Sequence, residues 1–167
     1  MSNGLHIIKA EKHHVSIILT MILELAEYEK LKHEVVATEE QLLLSLFGER
    51  AYAEVLLAYY DEKPIGFALF FHNFSTFLAK PGLYLEDLYI KPDYRGKGFG
   101  KVLLGTLAQI ALERDCGRLE WWVLDWNASA IAFYRRIGAI AMDEWTVQRV
   151  SGKALDQLAQ SSIALQE

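Results

Sequence analysis

One run of residues constrains this chain more than any other: Leu88–Gly105, LYIKPDYRGKGFGKVLLG. An apolar strand runs into Lys91-Pro92-Asp93-Tyr94. Arg95-Gly96-Lys97-Gly98-Phe99-Gly100 follows, and then the apolar periodicity of a helix begins. Closely spaced glycines let a backbone turn sharply and approach a ligand. Here they stand where a helix starts, so unsatisfied N–H groups and the positive end of the helix dipole point into the turn. Such a turn is an anion site, suited to a phosphate or pyrophosphate.

Spacing excludes two nucleotide motifs. In a P-loop the Gly-Lys pair is followed by Ser or Thr; Gly100-Lys101 is followed by Val102, which offers Mg²⁺ no hydroxyl. The dinucleotide fingerprint spaces its glycines G-x-G-x-x-G, whereas Gly96, Gly98 and Gly100 run G-x-G-x-G. The pattern present, Arg-x-x-Gly-x-Gly (Arg95, Gly98, Gly100) after a strand, resembles the acetyl-CoA loop of the GNAT N-acetyltransferases. The bland alternative is a glycine-rich turn with a solvated basic face. The turn's place between strand and helix favours the ligand, as does its coincidence with Lys91, Arg95, Lys97 and Lys101, which would grip the phosphates of CoA.

The resemblance extends along the chain. Leu83-Tyr84-Leu85-Glu86-Asp87-Leu88-Tyr89, Asp93-Tyr94-Arg95-Gly96, Asp125-Trp126-Asn127, Phe133-Tyr134 and Gly138-Ala139 occur in that order, and Leu25–Leu31 is similar to a first helix. Together they resemble the diamine (spermidine/spermine) and thialysine acetyltransferase branch over roughly residues 5–160. The resemblance implies an α/β GNAT acyl-CoA N-acyltransferase fold, a mixed, mostly antiparallel sheet flanked by helices. It implies acetyl-CoA as co-substrate and no metal. The cofactor site it implies comprises Leu88, Tyr89, Ile90, Arg95, Gly96, Lys97, Gly98, Phe99, Gly100, Lys101, Asn127, Ala128, Ser129, Ala130 and Tyr134.

A chain of 167 residues is most simply one domain, residues 1–167. A net charge of −5 argues against a nucleic-acid partner, because neutralising phosphates needs a basic face. No apolar run approaches the ~18 residues of a membrane span. The opening MSNGLHIIKAEKHH has no basic region before an apolar core, so no signal peptide is expected and the protein reads as cytoplasmic. The single cysteine, Cys116, excludes an internal disulfide and reads as a packing residue rather than a nucleophile.

Patterning predicts the elements. Leu5–Ala10 reads as a strand. Lys12–Leu31 carries Val15, Ile18, Leu19, Ile22, Leu25 and Ala26 at helical spacing. Thr38 and Gln41 form a capping box for a helix that Gly48 closes. Ala53–Tyr60 and Ile65–His72 flank a hairpin turn at Asp61–Pro64. Leu83–Ile90 is a strand, Phe99–Arg114 a helix and Leu119–Leu124 a buried strand. Asn127 caps a helix over Ala128–Ile137, and Gly138 stands past its end. Ile140–Asp143 and Trp145–Val150 read as closing strands, Ser151–Gln160 as a short helix, and Asn73–Gly82 as the longest irregular stretch.

Acetyl transfer to an amine needs a neutral nitrogen, donors for the carbonyl oxygen, and a proton for the leaving thiolate. A carboxylate near the amine is therefore useful. Glu86 and Asp87 are neighbours on a predicted strand, so simple alternation sends them to opposite faces. The resemblance puts Glu86 in the amine site as base and leaves Asp87 as an exposed ion-pair residue. It makes Tyr134 the general acid, against the alternative of a core aromatic, and makes a backbone N–H near Leu88 the oxygen donor. The amine pocket comprises Tyr28, Glu29, Glu86, Glu120, Trp121 and Trp122, since acids with aromatics suit a cation. A tryptophan pair on a strand is otherwise ordinary core. Relatives that acetylate polyamines place an acid and a Trp before Leu-Tyr-Leu-Glu-Asp; this chain has Thr76 and Leu78. The expected substrate is a small cationic amine or lysine-like amino acid. The alternatives are a non-catalytic CoA-binding sensor and a protein or peptide acetyltransferase. Relatives pair through C-terminal strands, so the resemblance also implies a homodimer.

Overall fold

A computed structural model describes residues 4–165. Strands β1 (Leu5–Lys9), β2 (Glu54–Tyr60), β3 (Lys63–Ser75), β4 (Lys80–Ile90) and β5 (Leu119–Trp121) lie side by side in that order. β1 to β4 pair antiparallel, and β5 joins β4 in parallel. A parallel neighbour requires a crossover, and α3 (Phe99–Glu113) supplies it. Asp61 and Glu62, both at positive φ, make the tight β2–β3 turn.

The sheet has two covered faces. Val55, Leu57, Phe67 and Tyr89 pack with Ile18, Met21 and Leu25 of α1 (Val15–Tyr28) and Leu46 of α2 (Glu39–Phe47). Leu56, Ala58, Ala68, Phe70, Leu83 and Leu85 are buried on the opposite face, against which α3 lays Leu103, Leu104 and Leu107. α2 starts at the expected capping box: Gln41 N–H donates to Thr38 Oγ1 at 3.2 Å and Thr38 N–H to Gln41 Oε1 at 3.0 Å. α1 is shorter than its periodicity predicts. Lys12–His14 form a 3₁₀ turn, and Lys30, at φ 63°, lies beyond the helix end.

Three expectations are corrected. Residues 73–82 are not a long loop. Asn73 pairs with Gly82 and Ser75 with Lys80, so β3 and β4 run on to a tip of residues 76–79. β5 ends at Trp121 rather than Leu124. Among the described residues, no strand forms at Ile140–Asp143 or Trp145–Val150. Alternating apolar residues become a strand only where a neighbouring strand takes up their N–H and C=O groups, and alternation by itself supplies no such neighbour.

The chain divides into two units, Met1–Trp122 and Val123–Glu167. The first holds the sheet and α1 to α3. The second holds α4 (Ala128–Arg136) and α5 (Gly152–Ala159). Asn127 caps α4 as expected, its Oδ1 accepting the Ala130 N–H at 3.2 Å, and Gly138 follows the helix at φ 92°.

Candidate active site

The register of β3 against β4 decides where the acids stand. Leu69 pairs with Asp87 and Phe70 with Leu85, so Glu86 is an extra residue, a β-bulge. Before the bulge, Tyr84 pairs with Phe71 on the α1 face; after it, Asp87 pairs with Leu69 and Tyr89 with Phe67 on that same face. Glu86 follows Tyr84 in alternation. Both carboxylates therefore stand on the α1 face, which overturns the expectation that simple alternation separates them.

Their neighbourhood is acidic and partly dry. Glu86 is exposed, whereas Asp87 is half-buried and its carboxyl is pushed up to about 7, first by burial and then by the charges of Glu86 and Glu29. Burial also raises Glu29, which lies just past the end of α1. Tyr28, Glu29, Glu86 and Asp87 thus gather around the bulge. Asp87, expected to be an exposed ion-pair residue, belongs to this cluster. Sequence alternation would have set Asp87 on the face of Leu83 and Leu85; only the bulge moves it to that of Tyr89.

Further along the same face is a second group. Tyr84 pairs with Glu120 across the parallel β4–β5 ladder, and its ring lies 5.0 Å from Phe71 and 6.0 Å from Trp122, the latter edge-on. Glu120 pairs with the guanidinium of Arg118 and accepts from Asn73 Nδ2 at 3.3 Å. Burial and the charges of Glu86 and Glu120 push the Tyr84 phenol up to about 12. Trp122 is exposed rather than core. Trp121 pairs with Leu85, which puts it on the opposite face from Glu120. The tip with Thr76 and Leu78 begins six residues beyond Glu86 along β4, roughly 20 Å. Within one chain those two residues lie too far away to meet a short amine held at Glu86.

The glycine turn forms as its sequence predicts. Gly98 is the N-cap of α3 at φ 83° with no side-chain cap, and Gly96 has φ 75°. A Cβ added at either would point into open space. The first N–H groups of α3 consequently face a free cradle at the positive end of the helix. Beyond the Leu85–Trp121 pair no described strand joins β4 on the β5 side, so Glu86–Tyr89 have no ladder partner along that edge among the described residues, while the Ile90 carbonyl is taken by Arg95. An extended, phosphate-bearing ligand such as CoA fits this combination. Of the basic side chains, three have partners among the described residues, Lys97 lying over the Tyr94 ring at 5.4 Å. Arg95 Nε donates to the Ile90 carbonyl at 2.8 Å while its guanidinium stacks 4.6 Å from the Tyr28 ring, and Lys91 pairs with Glu24 at 3.4 Å. They tie the loop to α1, and the anion site rests on backbone N–H groups with Lys97 and Lys101 nearby in sequence.

Asn127, Ala128, Ser129, Ala130 and Tyr134 belong to the second unit, at the start and on the body of α4. Tyr134 is half-buried, its ring 5.3 Å from that of Phe133. Among the described residues no group of His, Cys, Asp and Glu could hold a metal ion, and no helix is long and apolar enough to cross a membrane.

Comparison with known proteins agrees with this geometry. Residues 19–139 match the model of the acetyltransferase (GNAT) family. A thialysine N-epsilon-acetyltransferase of Bos taurus is 38% identical, covering 85% of this chain and 89% of its own length. An L-ornithine N5-acetyltransferase of Arabidopsis thaliana is 32% identical, covering 89% and 85%. Among solved structures, an integron cassette protein from the mobile metagenome of V. cholerae superposes with a TM-score of 0.80 at 31% identity, covering 95% of this chain and 99% of that one.

Proposed function

The chain belongs to the GNAT acetyltransferase family, and from that premise we propose that it transfers the acetyl group of acetyl-CoA to the primary amine of a small cationic amine or lysine-like amino acid. The observation that carries this reading is the bulge, which sets Glu86 and Asp87 on one face beside Glu29. Three acids around one opening suit a substrate that arrives as an ammonium and must lose a proton before it can attack. The relatives named for thialysine and ornithine support an amine on a short side chain.

Acetyl-CoA supplies the activated acyl group, and its pyrophosphate lies on the Gly96–Lys101 turn. Glu86 receives the ammonium and takes its proton. Asp87, pushed up to about 7 by burial first and then by the charges of Glu86 and Glu29, holds a proton over a wider pH range than an ordinary carboxylate and so adds less negative charge to the site. The open edge of β4 at Leu88 offers an N–H to the carbonyl oxygen. The C–N bond forms, the C–S bond breaks, Tyr134 gives its proton to the departing sulfur, and the second proton that the new amide nitrogen sheds passes through solvent to restore the phenol. The roles of Tyr134 and of Asn127–Ala130 rest on the family resemblance. The protein is a homodimer in this proposal, with Trp145–Val150 pairing as a strand with a second copy. Static light scattering that gives the 19.0 kDa chain mass at micromolar concentration would reject the dimer.

The test is release of CoA thiol from acetyl-CoA in the presence of thialysine, lysine, ornithine, putrescine or spermidine. Amine-dependent release is expected, and Tyr134→Phe should lower kcat by on the order of 10²–10⁴-fold while acetyl-CoA affinity holds. Acetyl-CoA binding with no release for any amine favours a CoA-sensing module instead.

A further inference from the structure

The Arg118–Glu120 pair has no part in the proton transfers just described, yet it stands on the substrate face. We propose that it is a head-group subsite: Arg118 receives the α-carboxylate, and Glu120 the α-ammonium, of an ω-amino amino acid whose distal amine is acetylated at Glu86. The proposal rests on the amine-acetylating reading and narrows its substrate class to zwitterionic head groups.

Four observations carry it. The first is alignment. Gly82, Tyr84 and Glu86 follow one another on the α1 face of β4, with Asn73 opposite Gly82 and Glu120 opposite Tyr84. The second is reach. Tyr84 and Glu86 are two residues apart, roughly 7 Å along the strand. The five bonds between the distal nitrogen and Cα of a lysine-length chain span about 6 Å. The third is chemistry. Arg118 and Glu120 form a closed ion pair whose side chains are 42% and 34% exposed, so a ligand can reach both. A zwitterion exchanges that single pair for two, and a carboxylate suits the guanidinium fork. A diamine offers nothing to Arg118, and its second ammonium meets a cation beside Glu120.

The fourth observation is an orphan. Asn73 Oδ1 is buried and has no hydrogen-bond partner, while Asn73 Nδ2 holds Glu120. A buried acceptor without a donor is a cost, and what Asn73 supplies in return is the Nδ2 group that holds Glu120 in place for an α-ammonium. Glycine at position 82 is what leaves room, since a Cβ there would collide with Asn73 Oδ1 and lie 3.4 Å from Arg118 Cγ. Tyr84, Phe71 and Trp122 wall the path between the two ends with aromatic surface.

The test pairs substrates that differ only by the carboxylate: ornithine against putrescine, and lysine against cadaverine. Each amino acid should lead its diamine in kcat/KM by roughly tenfold or more. Arg118→Gln should erase that lead, raising KM of the amino acid while lowering that of the diamines as the cation beside Glu120 is removed, and Arg118→Lys should restore part of it. Circular dichroism and acetyl-CoA affinity check that each variant folds. Ornithine methyl ester on the unaltered enzyme asks the same question without mutation, and it should behave like putrescine. Diamines equal to or better than the amino acids, or Arg118→Gln slowing both alike, would overturn the subsite alone. Failure to acetylate any of the four amines would overturn the amine-acetylating reading and the subsite together.

Discussion

The glycine turn and the acid face of β4 are built on opposite principles. The turn uses backbone: N–H groups of one contiguous segment, aimed by positive φ at Gly96 and Gly98, with no side chain needed to cap α3. The acid face uses side chains from four separate elements and their flanks: Glu29 after α1, Asn73 on β3, Glu86 and Asp87 on β4, Arg118 and Glu120 at β5. A backbone site can hold the invariant part of a co-substrate while side chains around it vary. A side-chain site is tuned by single substitutions, which under the proposed function makes the acid face the place where substrate choice is set. The two are linked by Arg95, which leaves the glycine turn to stack on Tyr28 beside Glu29.

This contrast breaks if the two sites do not separate under mutation. The largest effect is expected at the acids. Glu86→Gln should lower kcat/KM for the amine by on the order of 10²–10⁴-fold, with acetyl-CoA affinity by calorimetry unchanged. A parallel loss of acetyl-CoA binding would mean that the bulge serves both ligands. Gly98→Val is the converse. It forces a β-branched residue to φ 83° and fills the cradle, so acetyl-CoA affinity should fall about a hundredfold, near 3 kcal/mol, in a protein that circular dichroism shows is still folded. Retained affinity would remove the turn from the cofactor site.

Asp87 sharpens the comparison through pH. Its carboxyl sits at about 7 in the fold against an ordinary 3.8. Between those values the folded chain holds a proton that the unfolded chain has released, so this residue makes stability fall as pH rises through that window. Asp87→Asn should flatten the slope, leaving the variant more stable than the parent at pH 8 and less active. Identical melting curves from pH 4 to 8 would show that Asp87 is solvated.

The smallest effect belongs to an ion pair outside both sites. Arg114 and Lys9 hold Glu54 down at about 2, and the stability they contribute is present above the ordinary 4.5 and lost as pH falls toward that value. Because both partners of the Arg114 pair are partly exposed, Glu54→Gln should cost about 1 kcal/mol, a melting shift of a few degrees, with kcat/KM untouched.

Features whose cause is local were legible in the residues. The glycine turn, the Thr38–Gln41 capping box, the Asn127 cap and the Asp61-Glu62 hairpin each depend on a few neighbouring residues, and each forms where the sequence predicts it. The site was legible in part. Glu86 and Glu120 could be named from the residues, while the placement of Asp87, Tyr84, Arg118 and Asn73 beside them follows only from pairing. Trp145–Val150 has the alternation of a strand and is not one, because alternation specifies a face and not a partner.

The residues alone determined that a strand must turn through glycines into a helix whose first N–H groups carry no side-chain cap, since φ preferences and unsatisfied N–H groups belong to the segment itself. Only the tertiary structure decided that Glu86 and Asp87 share a face, that Asp87 titrates near neutrality, and that Arg118 and Glu120 meet one step along the sheet. Strand register and burial arise between segments: one inserted residue in a ladder reverses every side chain beyond it, and nothing in the inserted residue announces that.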